Sequence, residues 1–286
     1  MRYIFSYTIP HKYWIFKKIL LLIAISTIAR LIIAGTIELG NDEVYYWTYA
    51  LHLKWNYFDH PPIVGWLIRL TTANLLLHTE VFVRLGAIIS SAISTLLIYK
   101  IGTIIKNQQT GWYAALLYGA SIYSSIIAGT FILPDSPQIV FWLWSILLLV
   151  KIVNLPVSSS QSRMLWCWFG ISAGLCIMSK VHGVFIWFAV VLHAVFFTRS
   201  WLKDKNIYLA AAISLLIVSP IIVWNVQNNF ISYTYHGNRV ILSGAGLNID
   251  GFVREFFGGL FYNNPLNFFL IWSSIISFWK GKVANQ

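Results

Sequence analysis

The chain has 286 residues, 58% of them hydrophobic and only 10% charged, with a mean hydropathy of +0.70. A water-soluble domain carries about a quarter charged residues, so this composition excludes one and points to a polytopic membrane protein. The formal charge of +11 does not point to nucleic acid, because the cations fall in short segments between apolar stretches and not along one face or arm.

Arg2, Lys12, Lys17 and Lys18 precede an apolar run from Ile19 to Ile37. No small-residue cleavage site follows, so this segment reads as a retained signal anchor with a cytoplasmic N-terminus. Further stretches long enough to cross about 30 Å of hydrocarbon lie at 81–105, 111–133, 137–153, 164–179, 183–198, 207–224 and 256–279. With 19–37 they make about eight expected transmembrane helices, an all-α bundle forming a single domain over 1–286. The stretch 61–78 opens with Pro61-Pro62 and carries Arg69, which fits a helix lying at the interface. Cys167 and Cys176, nine residues apart on one expected helix, are separated by about 13 Å, too far for a disulfide with each other.

With eight crossings, 13 of the 20 Lys and Arg fall on the inner side, as the positive-inside rule requires. Eight of the nine acids fall on the outer side or at its lip; only Asp204 is inside. Acid placement does not set topology, so the asymmetry points to function on the outer face. Two outer segments, 38–80 and 225–255, are longer than connection requires, and large loops on one side of a bundle carry binding work.

Asn41-Asp42-Glu43-Val44-Tyr45-Tyr46-Trp47 opens the first outer segment. Acids at a helix start favour its dipole. Rings beside carboxylates also suit a sugar, whose C–H faces pack on aromatics while its hydroxyls bond acids. In Tyr57-Phe58-Asp59-His60-Pro61-Pro62 the diproline fixes a rigid turn. The Asp-His pair there could orient an imidazole, bind a phosphate or ligate a divalent metal. Asp135, in Leu133-Pro134-Asp135-Ser136-Pro137, is a helix-start acid on the same side as Asp42. Arg30 and Lys180 lie in or near hydrocarbon, where each needs a carboxylate partner or an anionic ligand such as a lipid phosphate. His236-Gly237-Asn238-Arg239 reads as a turn in the second outer segment. Walker, Rossmann and HExxH patterns are absent.

The order of these motifs resembles the GT-C glycosyltransferases that use polyprenyl-phosphate sugars, in particular the group containing protein O-mannosyltransferases and lipid A aminoarabinose and galacturonic acid transferases. The resemblance rests on a first span followed by Asp-Glu-x-Tyr-Tyr-Trp, the aromatic-Asp-His-Pro-Pro turn, Pro-Asp-x-Pro after the third span, Met178-Ser179-Lys180 and a later Asn-Arg. It covers about Arg30 to Arg239. It implies a GT-C bundle in a bacterial inner membrane, with an inverting active site on the periplasmic face. The expected donor is a polyprenyl-phosphate sugar, and the acceptor a glycan, glycolipid or protein. Asp42 and Asp135 match the catalytic acids. Lys180, Arg239, Arg30 and His60 are the expected donor-phosphate groups, His60 standing where some relatives have a lysine. Glu43, Tyr45, Tyr46 and Trp47 are expected to bind substrate. Asp59 and His236 match positions that can hold a divalent metal, the one cofactor implied. Family members are usually longer, so the C-terminal part typical of them is expected to be absent. Two rival readings, a lipid-binding protein without catalysis and a transporter or flippase, predict binding or movement of lipid without sugar transfer.

Overall fold

A computed structural model describes residues 11–156, 159–240 and 249–284, and for residues 11–13, 236, 238–240 and 281–284 only the backbone. All its regular elements are helical. They are α1 (His11–Thr36), α2 (Asn41–Leu51), α3 (Ile63–Thr71), α4 (Glu80–Ile105), α5 (Gln108–Ala120), α6 (Asp135–Val153), α7 (Ser160–Ser179), α8 (Val184–Phe196), α9 (Lys205–Gln227), α10 (Ile231–Val240), α11 (Ile249–Tyr262) and α12 (Pro265–Ala284). A π-helical turn, Tyr123–Ile127, follows α5, and single 3₁₀ turns precede α8 and α9.

Four helices are long and apolar enough to cross a membrane: Trp14–Thr36, Glu80–Ile105, Asp135–Val153 and Lys205–Gln227. The expected count of eight is therefore not met by length and composition among the described residues. The reasons are local. The stretch 111–133 is broken after Ala120, where Ser124 and Ser125 turn their hydroxyls back onto the carbonyls of Tyr118 and Ser121. The stretch 256–279 is broken at Asn264, whose φ of 68° ends one helix and whose side chain caps the next. Helix α7 has 20 residues but lower hydropathy, and it lies inside the bundle against α6 and α9, where protein rather than lipid covers it.

The α7–α9 seam depends on close backbone approach. A Cβ on Gly170 would sit 2.5 Å from the Ala210 carbonyl oxygen, and one on Gly174 would meet Ile217 at 2.9 Å. This is a small-xxx-small contact of the kind that lets membrane helices pack without a hydrophobic driving force. Around it Trp166, Phe169, Ala173, Cys176, Ile186, Val190, Trp201 and Ala210 form the larger core. Cys176 is buried there as a free thiol, and Cys167 is also free. Elsewhere the apolar surface is large: Leu21, Ile25, Ile28 and Ile32 on α1 are all more than half exposed, as a lipid-facing stripe requires.

The short helices α2 and α3 pack on each other between α1 and α4. At nine residues α3 cannot cross a bilayer. Its Gly65 faces the Tyr49 backbone, where a Cβ would come within 2.7 Å of the Tyr49 Cβ. The described part of the second long segment is mostly helical too: the expected His-Gly-Asn-Arg turn is backbone of α10.

Candidate functional site

The chain reverses at the same end of the bundle between α1 and α4, between the π-turn and α6, between α7 and α8, and after α9. That end carries almost every residue singled out from the sequence. Two of the cavities that open there are lined by residues singled out from the sequence. One, of about 390 Å³, is lined by Asn56, Tyr57, Asp59, His60, Lys180, His182, Asn225 and apolar neighbours including Val184 and Phe185. The other, of about 490 Å³, is lined by Glu38, Asn41, Asp42, Glu43 and Arg84 on one side and Ile127, Phe131 and Leu133 on the other. Both are of the size that holds a small organic ligand.

Adjacent residues on a helix point about 100° apart, and this divides Asp42 from Glu43. Asp42 stands exposed in the first turn of α2 and forms no ion pair with a described residue. Glu43 turns inward and is 3% exposed. Its Oε1 accepts from Arg84 Nε at 2.8 Å and from the Ile132 N–H at 3.1 Å. Its Oε2 accepts from Arg84 Nη2 at 2.6 Å and from the Gly40 N–H at 3.0 Å. Arg84, fully buried, also donates to the carbonyls of Ala34, Ile37 and Glu38. The pair ties the end of α1, the start of α2, α4 and the 131–133 segment into one unit, with Asp42 on its rim. Glu43 was expected to bind substrate; its four acceptor positions are filled by protein donors, so the structure makes it a brace instead. The Arg84 partner, 41 residues away, carried no sequence signal beyond being a cation near the acidic face.

The tyrosines of α2 are likewise mostly engaged with protein. Tyr45 and Tyr49 both donate to Asp59 Oδ1, the Tyr45 bond at 3.0 Å. Tyr49 stacks on Tyr57 with centroids 3.6 Å apart, and the Tyr57 hydroxyl donates to the carbonyls of Tyr49 and His52. Tyr46 is buried with its ring 5.7 Å from that of His60, and Trp47 packs on the same core. This lattice holds Asp59 and His60 at the cavity wall. Burial first, and then the charges of Asp59, Asp42 and Asp135, raise the Tyr46 pKa above the ordinary phenol range. Burial and the bonds to Asp59 and Tyr45 raise Tyr49 in the same sense.

Lys180 ends α7, where its φ of −156° takes the chain out of the helix. Its Nζ donates to both carboxylate oxygens of Asp135, at 2.8 and 2.9 Å. Tyr123, in the π-turn, donates to Asp135 Oδ1 as well. The pair is only partly buried, so the ammonium keeps an open side toward the first cavity.

Arg30 does not join it. Its guanidinium is buried, its Nε donates to the Ser125 carbonyl at 3.0 Å, and it lines neither cavity. The expected role of Arg30 at the donor phosphate is thus replaced by a contact with the π-turn. The side chains of His236 and Arg239 lie outside the described residues, although α10 carries Ser232 and Tyr233 to the first cavity. No group of three or more His, Cys, Asp or Glu able to hold a metal occurs among the described residues, and Asp59 Oδ1 is taken by two phenols. Sequence reasoning missed His182, Asn56 and Asn225 in the cavity wall. His182 follows Lys180 by two residues and could have been noticed on that ground.

A model of the dolichyl-phosphate-mannose-protein mannosyltransferase family matches residues 59–224. The undecaprenyl phosphate-α-4-amino-4-deoxy-L-arabinose arabinosyl transferase 2 of Proteus mirabilis is 28% identical over 174 residues, 58% of this chain and 31% of that protein. The lipid A galacturonosyltransferase RgtD of Rhizobium johnstonii is 22% identical over 235 residues, 81% of this chain and 48% of that one. Among solved structures, ArnT from Cupriavidus metallidurans aligns with a TM-score of 0.64 at 16% identity, over 81% of this chain and 45% of ArnT. The S. cerevisiae protein O-mannosyltransferase Pmt1–Pmt2 complex aligns at 0.53 and 20% identity, over 79% of this chain and 35% of that one. At these identities the structures speak for the fold, and this chain spans less than half the length of each of these relatives.

Proposed function

The chain belongs to the dolichyl-phosphate-mannose-protein mannosyltransferase family, and from that premise we propose that it transfers a sugar from a polyprenyl-phosphate donor to an acceptor hydroxyl. It is a membrane protein of GT-C fold; the face at which it works is, on this reading, the outer face of a bacterial inner membrane. The acceptor is a glycan, glycolipid or protein. The observation that carries the proposal is the pairing of Asp42, a carboxylate with no ion pair among the described residues, with a neighbouring cavity lined by the Lys180 ammonium and the imidazoles of His60 and His182.

The donor phosphate belongs beside Lys180, because charge grows there as the sugar–phosphate bond breaks and a preorganised cation stabilises it. Val181, Val184, Phe185 and Ile221 offer the polyprenyl chain an apolar wall. The acceptor enters past Asp42. Its oxygen attacks the anomeric carbon while its proton passes to the Asp42 carboxylate, and the C–O bond to phosphate breaks with its electrons on the departing lipid phosphate. One displacement inverts the anomeric centre. Asp135, held by Lys180 and Tyr123, fits a group that aims Lys180 rather than one that takes a proton. Tyr45, Tyr46 and Trp47 position the loop, with the exposed edge of Tyr45 left for the sugar.

The test is transfer from a panel of radiolabelled polyprenyl-phosphate sugars by wild type and Asp42→Asn in proteoliposomes. Removing a positioned general base lowers the rate by about 100- to 10,000-fold. Near-wild-type transfer by folded Asp42→Asn would remove Asp42 from the mechanism. Lipid movement across the vesicle without transfer would favour a flippase.

A further inference from the structure

The largest unexplained investment in this fold is a cation inside a membrane span. Arg30 sits on α1 and is 5% exposed, and its Nη1 is buried with no hydrogen-bond partner among the described residues. A guanidinium at such a place is costly unless it holds something. What it holds is one carbonyl: Ser125 O accepts from Arg30 Nε at 3.0 Å and from Thr130 Oγ1 at 2.9 Å. Ser125 lies in the π-turn Tyr123–Ile127, closed by the i→i+5 bond from the Ala128 N–H to the Tyr123 carbonyl at 2.8 Å. Such turns are rare, and persist where surrounding contacts over-determine them.

Two residues before Ser125 is Tyr123, whose hydroxyl donates to Asp135, and Asp135 in turn holds Lys180. Relaxation of the π-turn toward α geometry shifts the register by one residue, and one residue is about 100° of rotation. That rotation carries the Tyr123 phenol away from Asp135. We infer that Arg30 is a positioning residue: by pinning the π-turn it fixes Tyr123 on Asp135, and through Asp135 it aims the Lys180 ammonium into the donor cavity. This rests on the reading of Lys180 as a donor-phosphate group.

The test is binding of undecaprenyl phosphate to the purified full chain in detergent, compared among wild type, Arg30→Met, Arg30→Lys, Tyr123→Phe and the Arg30→Met/Tyr123→Phe double variant. Each protein is first shown to be monodisperse. Arg30→Met is expected to weaken binding by about tenfold, the scale of one lost hydrogen bond to a charged group. Tyr123→Phe is expected to match it, and the double variant to be no weaker than the worse single, because both act on one path. Arg30→Lys keeps a donor and should recover most of the affinity. In transfer, the loss should appear in kcat as well as in the KM for the donor, because Lys180 meets the phosphate both in the bound donor and as its charge grows. Wild-type affinity in folded Arg30→Met, or a double variant weaker by the product of the two single effects, overturns the inference. If Arg30→Met does not fold, Tyr123→Phe and Thr130→Val carry the test: both should weaken binding, and unchanged affinity in both overturns it. Absence of binding by wild type would instead bring down the donor reading itself, and this inference with it.

Discussion

Replacing Arg84 by Met tests how the segment carrying Asp42 is held. The side chain is fully buried and makes five hydrogen bonds, two to Glu43 and three to carbonyls at the end of α1. Met fills similar space and removes every donor, leaving a 3% exposed carboxylate with only the N–H groups of Gly40 and Ile132. Breaking a buried pair by removing one partner costs about 3–5 kcal/mol, because the remaining charge stays desolvated. Adding Glu43→Gln removes that charge and keeps an acceptor for the two N–H groups. The double variant should therefore recover about 2 kcal/mol relative to Arg84→Met alone, leaving mainly the orphaned carbonyls. Thermal unfolding in detergent, followed by the fluorescence of the 14 tryptophans, measures both. A loss below about 1 kcal/mol for Arg84→Met, or strict additivity in the double, would refute the argument that this ion pair is what braces Asp42.

Lys180→Met should lower kcat/KM for the donor by about 100-fold or more, with Lys180→Arg recovering part of it, since the site needs a cation held against Asp135; initial rates in proteoliposomes check this. The α2 tyrosines carry a pH dependence. Tyr45, Tyr46 and Tyr49 have folded-state pKa values raised above the unfolded phenol, so their contribution is intact below about pH 10 and is lost as pH rises further. Absorbance titration at the tyrosinate band should show these groups ionising only with unfolding, and Tyr49→Phe should shift the alkaline midpoint; ionisation of all 15 tyrosines near pH 10 in folded protein would contradict the burial described for them.

Much of this end of the molecule was legible because charge in hydrocarbon is expensive. Lys180 required a carboxylate or an anion, and it has Asp135, 45 residues earlier. The same rule singled out Arg30 but not its partner, since backbone carbonyls carry no sequence signature. Glu43 read as a substrate-binding neighbour of Asp42 because the sequence does not display which residue a helix turns inward; Arg84 on α4 decides that. The span between 111 and 133 read as one helix on hydropathy, and the hydroxyls that break it are apolar enough in such averages to pass unnoticed. Aromatics beside acids suggested a sugar platform, whereas Tyr49 and Tyr57 spend their faces on each other.

The most direct measurement is the anomeric configuration of the product formed by wild-type protein from a donor labelled at the anomeric carbon, read by carbon NMR. A single displacement assisted by Asp42 yields the opposite anomer to the donor, and about 100- to 10,000-fold slower formation of it when Asp42→Asn replaces wild type. A retained anomer would contradict the account, because it requires a covalent intermediate or front-face attack for which this arrangement provides no role.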